Sequence, residues 1–165
     1  MQSFWNRCER LRSLPEHERF RLAEYADTIR EVLDSGGEFT LFPRGTSMLP
    51  LIVQGRDSVA LVKAERFCVG DIAFYQRSDR EFVLHRIIGE QNGTFTMCGD
   101  NQLSPEYGIK PEQIIARVGY LTRKGKKLTP DKLTYRIYVL LWRSLFIRRV
   151  YFKLRRVIHG EKKAG

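Results

Sequence analysis

Ser47 lies on a sharp corner of the chain, between Gly45 and Pro50 and directly before the apolar Met48. A serine at such a corner either shapes the turn with its hydroxyl or presents that hydroxyl to a substrate. It becomes a nucleophile only when a neighbouring base accepts its proton. Histidine is the side chain best suited to that task near neutral pH. The first question is therefore whether the chain supplies a histidine that can reach Ser47.

The sequence contains three histidines. His17 lies between two glutamates in a predicted helix, and His159 lies in the basic tail, so both are expected to be solvated. His85 differs because it interrupts an apolar run at 82–88 that is typical of a strand. Taken alone, a histidine in an apolar strand more often has a structural role than a catalytic one.

The hairpin signal Asn92-Gly93 gives His85 a predicted partner. A two-residue type I′ turn at this dipeptide would place Ile88 opposite Met97, Ile87 opposite Cys98 and His85 opposite Asp100. Side chains directly opposed across two strands have Cβ atoms about 4.5–5.5 Å apart. A carboxylate bound to one ring nitrogen fixes the tautomer and leaves the other nitrogen able to accept a proton. Two alternatives stay open: a bulge at Gly99 would change the register, and Asp100 could serve only as a turn former.

Glu106 is a second acid that could reach the same region, although a solvated loop carboxylate is the simpler interpretation. Arg86 follows His85 in the strand, and alternation predicts that its side chain points to the other face. Lys63 lies at a strand end and is given no role beside Ser47.

Four short motifs, in this order, resemble those of the signal peptidase I and LexA-like serine peptidases. They cover roughly residues 39–121, and the combination is far more specific than any one of them. The motifs are Gly45-Thr46-Ser47-Met48-Leu49-Pro50, Gly70-Asp71-Ile72, Leu84-His85-Arg86-Ile87 and Gly99-Asp100-Asn101.

The histidine at position 85 is similar to that of the archaeal and endoplasmic-reticulum signal peptidases, whereas bacterial-type members use lysine. The resemblance implies that Ser47 is the nucleophile, His85 the general base and Asp100 its orienting acid, with Glu106 as a possible helper. Gly45 replaces a hydroxyl residue found in many members, so the oxyanion hole is expected from backbone N–H groups at Ser47 and Thr46. The implied substrate is a leader or precursor peptide with small residues beside the cut. The implied reaction needs no metal or other cofactor.

The elements that must position these residues are mainly β. Residues 13–35 have helix periodicity, with a capping box at Ser13 and Glu16 and a stop at Gly36-Gly37. A basic, aromatic helical segment is predicted from about 131 to 158, and its arginines do not form a clean stripe. The predicted strands between the two are Phe39–Phe42, Ser58–Val62, Asp71–Tyr75, Phe82–Glu90, Thr94–Cys98 and Ile114–Leu121.

The expected fold is a folded antiparallel sheet, of the signal-peptidase and LexA-like kind, with one flanking helix at each end. We expect an N-terminal amphipathic helix region at 1–37, a peptidase β domain at 38–128 and a basic C-terminal segment at 129–165.

The net charge of +10 is confined to the last third of the chain. Residues 117–165 carry 15 Lys/Arg against 2 Asp/Glu, whereas residues 1–116 carry 14 against 17. Such a segment suits a membrane surface, and peripheral contact through 131–158 is expected; packing on its own domain is an equal alternative. A second hypothesis is therefore a catalytically silent module that binds anionic membrane or nucleic acid through this segment, with nucleic acid less favoured.

Three cysteines without a metal or disulfide pattern favour a reducing compartment. The N-terminus lacks the apolar core of a signal peptide, and no apolar run is long enough for a membrane span. The expected location is the cytoplasm or the periphery of the cytoplasmic membrane.

Overall fold

The computed structural model describes residues 26–160, without the side chains of residues 159 and 160. A helix, α1, occupies 26–34, which confirms the later part of the helix predicted at 13–35; the earlier part lies outside the described residues. Its buried face carries Ala26, Ile29 and Leu33 at helix spacing. The helix ends where the Gly36 N–H donates to the Leu33 carbonyl, with a φ of 83° that favours glycine.

Within the described residues, eight strands form one antiparallel sheet. They are Phe39–Leu41 (β1), Ser58–Val62 (β2), Ile72–Gln76 (β3), Phe82–Gln91 (β4), Thr94–Cys98 (β5), Glu106–Ile109 (β6), Ile114–Arg123 (β7) and Lys126–Leu128 (β8). Their order in the sheet is β1-β2-β7-β3-β4-β5-β6, and β8 pairs with β7. The predicted antiparallel β fold with flanking helices is confirmed. Two short strands, β6 and β8, were not predicted from the sequence. β6 contains a glycine and has no clear alternation of apolar and polar residues, and β8 begins with two lysines.

The β4–β5 hairpin forms at the predicted turn but continues in a different register. Asn92 and Gly93 have φ values of 50° and 72°, as a type I′ turn requires. From the turn as far as Gly89 the predicted register holds. Ile88 is then an extra residue that bulges out of β4, so each pair farther from the turn is shifted by one position.

This bulge overturns part of the predicted register. Ile87 is opposite Met97 and Arg86 is opposite Cys98. The predicted pairing of His85 with Asp100 is therefore wrong, as are the predicted partners of Ile87 and Ile88. The bulge that changes the register lies in β4, whereas the sequence had indicated Gly99 as the place where a bulge could form.

The two faces of the sheet pack against different apolar clusters. Leu84 of β4 belongs to the larger cluster, together with Met48 and Ile29 from outside the sheet. Ile87 belongs to the second cluster, with Tyr75 and Met97. Because side chains alternate along a strand, His85 shares a face with Ile87 and not with Leu84.

The basic C-terminal segment forms two helices where the sequence predicted one. These are Leu133–Trp142 (α2) and Leu145–Gly160 (α3). The break occurs at Ser144, whose hydroxyl accepts the Ile147 N–H at 3.4 Å and so caps the second helix. Within the described residues, no helix is both long enough and apolar enough to cross a membrane.

Replacing Ile29 with alanine should destabilise the fold by about 2–5 kcal/mol, because the side chain is completely buried in the larger cluster. Glu31→Ala, on the exposed side of the same helix, should change the free energy of unfolding by less than about 0.5 kcal/mol. Urea denaturation of the two variants measures both values. Equal effects would contradict the packing of α1 on the sheet.

Candidate active site

The Ser47 loop is held by backbone contacts at both ends. The Gly45 N–H donates to the side chain of Gln54 at 2.6 Å, and the Ser47 carbonyl accepts the Asn101 N–H at 2.7 Å. A Cβ built on Gly99 would lie only 2.7 Å from the Ser47 carbonyl oxygen. Glycine at position 99 is therefore what allows the turn after β5 to approach the serine so closely.

Backbone donors near Ser47 are available to a ligand. Within the described part of the chain, no group accepts a hydrogen bond from the N–H of Thr46, Ser47 or Met48. Ser47 is half-buried and lines a pocket of about 110 Å³, together with Gly45 and Leu84. These amides have the chemistry expected of an oxyanion hole, the role predicted for Thr46 and Ser47.

His85 is buried on the face of β4 that also carries Ile87. It is bonded through one ring nitrogen. Its Nδ1 lies 3.1 Å from a Glu106 carboxylate oxygen and 3.3 Å from the Tyr75 hydroxyl. An ionised carboxylate can only accept, so a hydrogen lies on Nδ1; in the neutral form of the ring, Nε2 is then the proton acceptor. Among the described residues, none forms a hydrogen bond with Nε2.

Glu106 is held in its ionised form by several donors. Arg77 contacts both of its carboxylate oxygens, and the Tyr75 hydroxyl donates to it at 3.0 Å. Burial alone would raise the pKa of Glu106, but the hydrogen bonds from His85 and Arg77 lower it to about 2. Burial and this carboxylate together raise the pKa of Tyr75, which stays a donor.

Asp100 has a different partner from the one the sequence predicted. It is fully buried and accepts two hydrogen bonds of 2.8 Å from Arg86, in a bidentate pair. Arg86 does point away from His85, as predicted from strand alternation. The assignment of Asp100 as the acid that orients His85 is wrong in this structure, because the bulge at Ile88 brings Arg86 opposite the end of β5.

The C-terminal helices complete the surroundings of Asp100. The Tyr138 hydroxyl donates to its carboxylate at 3.0 Å, and the Trp142 indole N–H donates to its carbonyl at 3.0 Å. Arg148, also fully buried, donates to the Gly99 carbonyl at 2.6 Å. These three residues were missed by sequence reasoning, and only the apolar sequence around Arg148 hinted that this arginine was buried.

Ser47 and His85 are not joined by a hydrogen bond in the structure. Ser47 and Arg86, the residue after His85, both contact one short segment, the turn at 99–101. Ser47 contacts this turn through its carbonyl, and Arg86, the neighbour of His85, contacts it through Asp100. In the structure His85 therefore contacts Glu106, and the Ser47 loop contacts the turn at 99–101. The Ser47 hydroxyl and the His85 imidazole are not in direct contact.

The described residues contain no group of three or more side chains that could hold a metal ion. Comparison of the chain with protein-family models, with curated proteins and with solved structures finds no match. A function for this protein is therefore inferred from the site itself and from the four sequence motifs.

Asp100→Ala should cost about 3–5 kcal/mol of stability, because it leaves Arg86 buried without a counter-charge. The matched control is Asp34→Ala, which breaks an exposed ion pair with Lys63 and should cost less than about 1 kcal/mol. Urea denaturation compares the two. If Asp100→Ala lowers the free energy of unfolding by less than about 1 kcal/mol, the buried Arg86–Asp100 pair does not stabilise the fold as argued.

Stability should depend on pH through Glu106. Its folded pKa of about 2 lies below the ordinary 4.5, so its contribution is complete above about pH 5 and is lost as the pH falls towards 2. Glu106→Gln should therefore cost about 1–3 kcal/mol at pH 7 and much less near pH 2.5.

Unfolding by urea at the two pH values measures this difference for Glu106→Gln. Glu90→Gln, on the exposed end of β4, serves as the control and should change little at either pH. If Glu106→Gln lowers the free energy of unfolding by the same amount at both pH values, Glu106 is not held ionised by its neighbours.

Proposed function

We propose that this protein is a serine endopeptidase of the signal peptidase-like class that cleaves a leader or precursor peptide. Ser47 is the nucleophile, His85 the general base and Glu106 the acid that orients the base. The observation that carries the proposal is the contact between His85 and an ionised Glu106, which leaves Nε2 as an acceptor. The four motifs that resemble this class support it independently.

In the proposed reaction, Nε2 of His85 takes the proton of the Ser47 hydroxyl as the oxygen attacks the scissile carbonyl. The same proton then passes to the leaving amine, and water hydrolyses the acyl-enzyme in a second round of the same chemistry. Glu106 holds the tautomer and stabilises the imidazolium that forms. Asp100 has no part in the proton transfer; it supports the turn on which the Ser47 loop rests.

The reaction requires the Ser47 hydroxyl to reach Nε2. Catalytic hydrogen bonds are often long in proteins without substrate and tighten only in the substrate complex. We therefore propose that the Ser47 side chain turns towards His85 when a peptide binds. The N–H groups of Thr46, Ser47 and Met48, which have no partner among the described residues, are suited to stabilise the tetrahedral oxyanion.

The sheet offers a place for an extended peptide. Among the described residues, β1 is the last strand at one end of the sheet, and the chain leaves it only a few residues before Ser47. A substrate that adds a strand to such an edge is held by main-chain hydrogen bonds and passes the serine in extended form. This fits a leader or precursor peptide cut beside small residues.

Ser47→Ala and His85→Ala should each lower the cleavage rate on the order of a thousand-fold or more, because nucleophile and base act as one unit. The measurement is cleavage of a set of leader peptides with small residues at the cut, followed by mass spectrometry. Ser35→Ala, which alters an exposed serine after α1, is the matched control and should cleave as the parent does.

The role of Glu106 is tested in the same assay. Glu106→Gln should lower the rate strongly while the protein remains folded at neutral pH, whereas Glu90→Gln should not. If Ser47→Ala and His85→Ala cleave as well as the parent, the proposal fails. If only Glu106→Gln is fully active, the orienting role assigned to Glu106 is wrong.

A further inference from the structure

The two C-terminal helices expose most of the large apolar side chains on the surface. Nine of the thirteen exposed large apolar residues among the described residues lie on α2 and α3. We call this set the docking face. It consists of Leu133, Ile137, Leu140 and Leu141 in α2, and of Phe146, Val150, Leu154, Val157 and Ile158 in α3.

The break at Ser144 turns an irregular pattern into an amphipathic one. Within α3, Phe146, Val150 and Leu154 recur every four residues and lie on one side of the helix. Phe146 is 72% exposed and Leu154 is 58% exposed. At 100° per residue, Arg149 and Lys153 lie beside this apolar sector, so the helix has the pattern of one that lies in a membrane interface.

The charge of the helices selects the kind of surface. Residues 133–160 contain seven arginines and lysines and not one aspartate or glutamate. Of the seven, Arg148 is buried against the sheet, whereas Arg149 and Lys153 are exposed beside the apolar sector of α3. Basic side chains that flank an exposed apolar sector are attracted to anionic lipid headgroups.

The opposite side of the helices is already fixed to the protein. Tyr135 packs in the larger cluster, Trp142 binds the backbone of Asp100, and Arg148 binds the carbonyl of Gly99. The helices therefore cannot rotate to bury the docking face without breaking buried hydrogen bonds. Large apolar side chains exposed together on two successive helices mark an interaction site.

We propose that the docking face binds the surface of a bilayer that contains anionic phospholipids. A second copy of the chain would bring two strongly basic segments together, which like-charge repulsion opposes. Nucleic acid would satisfy the arginines but would leave the aliphatic side chains of α2 and α3 without a matching surface. A bilayer interface satisfies both features, with apolar residues among the acyl chains and cations at the headgroups.

The test uses the full chain and sedimentation with vesicles of phosphatidylcholine, with or without 30 mol% phosphatidylserine. Binding should be at least tenfold stronger to the anionic vesicles and should weaken as salt increases. Phe146→Ser with Leu154→Ser should weaken it by tenfold or more. Arg149→Gln with Lys153→Gln should weaken it by a similar factor.

Matched controls separate docking from general stickiness. Phe42→Ser removes an equally exposed apolar side chain outside the helices, and Arg80→Gln with Lys110→Gln removes two exposed cations elsewhere; both should bind as the parent does. Ser47→Ala should also bind normally, so this proposal can succeed or fail independently of the proposed catalysis.

Three results would overturn the proposal. One is binding that the Phe146→Ser, Leu154→Ser variant retains in full. Another is self-association that this variant abolishes, in the absence of vesicle binding, which would assign the docking face to a second copy. The third is tight binding to duplex DNA with none to anionic vesicles. Circular dichroism checks that each variant is folded.

Discussion

The buried ion pair between Arg86 and Asp100 is the interaction on which the arrangement of this protein depends. Removing two charges from water costs several kcal/mol per ion, and the pair is tolerable only when the remaining donors and acceptors are also satisfied. Here they are: Arg86 also donates to the Gly70 carbonyl at 2.7 Å, and Asp100 also accepts from Tyr138. The pair thus connects a central strand, two turns and a C-terminal helix.

Both proposed activities rely on this connection. The turn at 99–101 supports the Ser47 loop from one side and is bound by Trp142 and Arg148 from the other. The proposed docking face belongs to the helices that carry these two residues. One Arg148 nitrogen lies 3.7 Å from the Asp100 carboxylate and has no hydrogen-bond partner among the described residues. The proposed membrane contact and the proposed catalytic loop are therefore joined through a few buried polar contacts.

The two acids near the site differ in their neighbours and so in their chemistry. Asp100 is enclosed by Arg86 and by helix side chains, which use its oxygens for structure. Glu106, at the start of the short strand β6, faces His85, and Arg77 keeps it ionised. An acid that stays ionised beside a histidine can orient the ring without taking its proton. That division favours Glu106 for the orienting role, whereas the sequence alone favoured Asp100.

The sequence alone determined the features that arise from local interactions. Strand alternation, the type I′ turn at Asn92-Gly93 and the helix stop at Gly36 depend on neighbouring residues, and each was predicted correctly. The choice between Asp100 and Glu106 as partner of His85 was decided only by tertiary structure, through a one-residue bulge at Ile88. The same is true of the helix break at Ser144 and the burial of Arg148. Packing across distant segments selects among local alternatives that differ little in energy, and no single stretch of sequence contains that information.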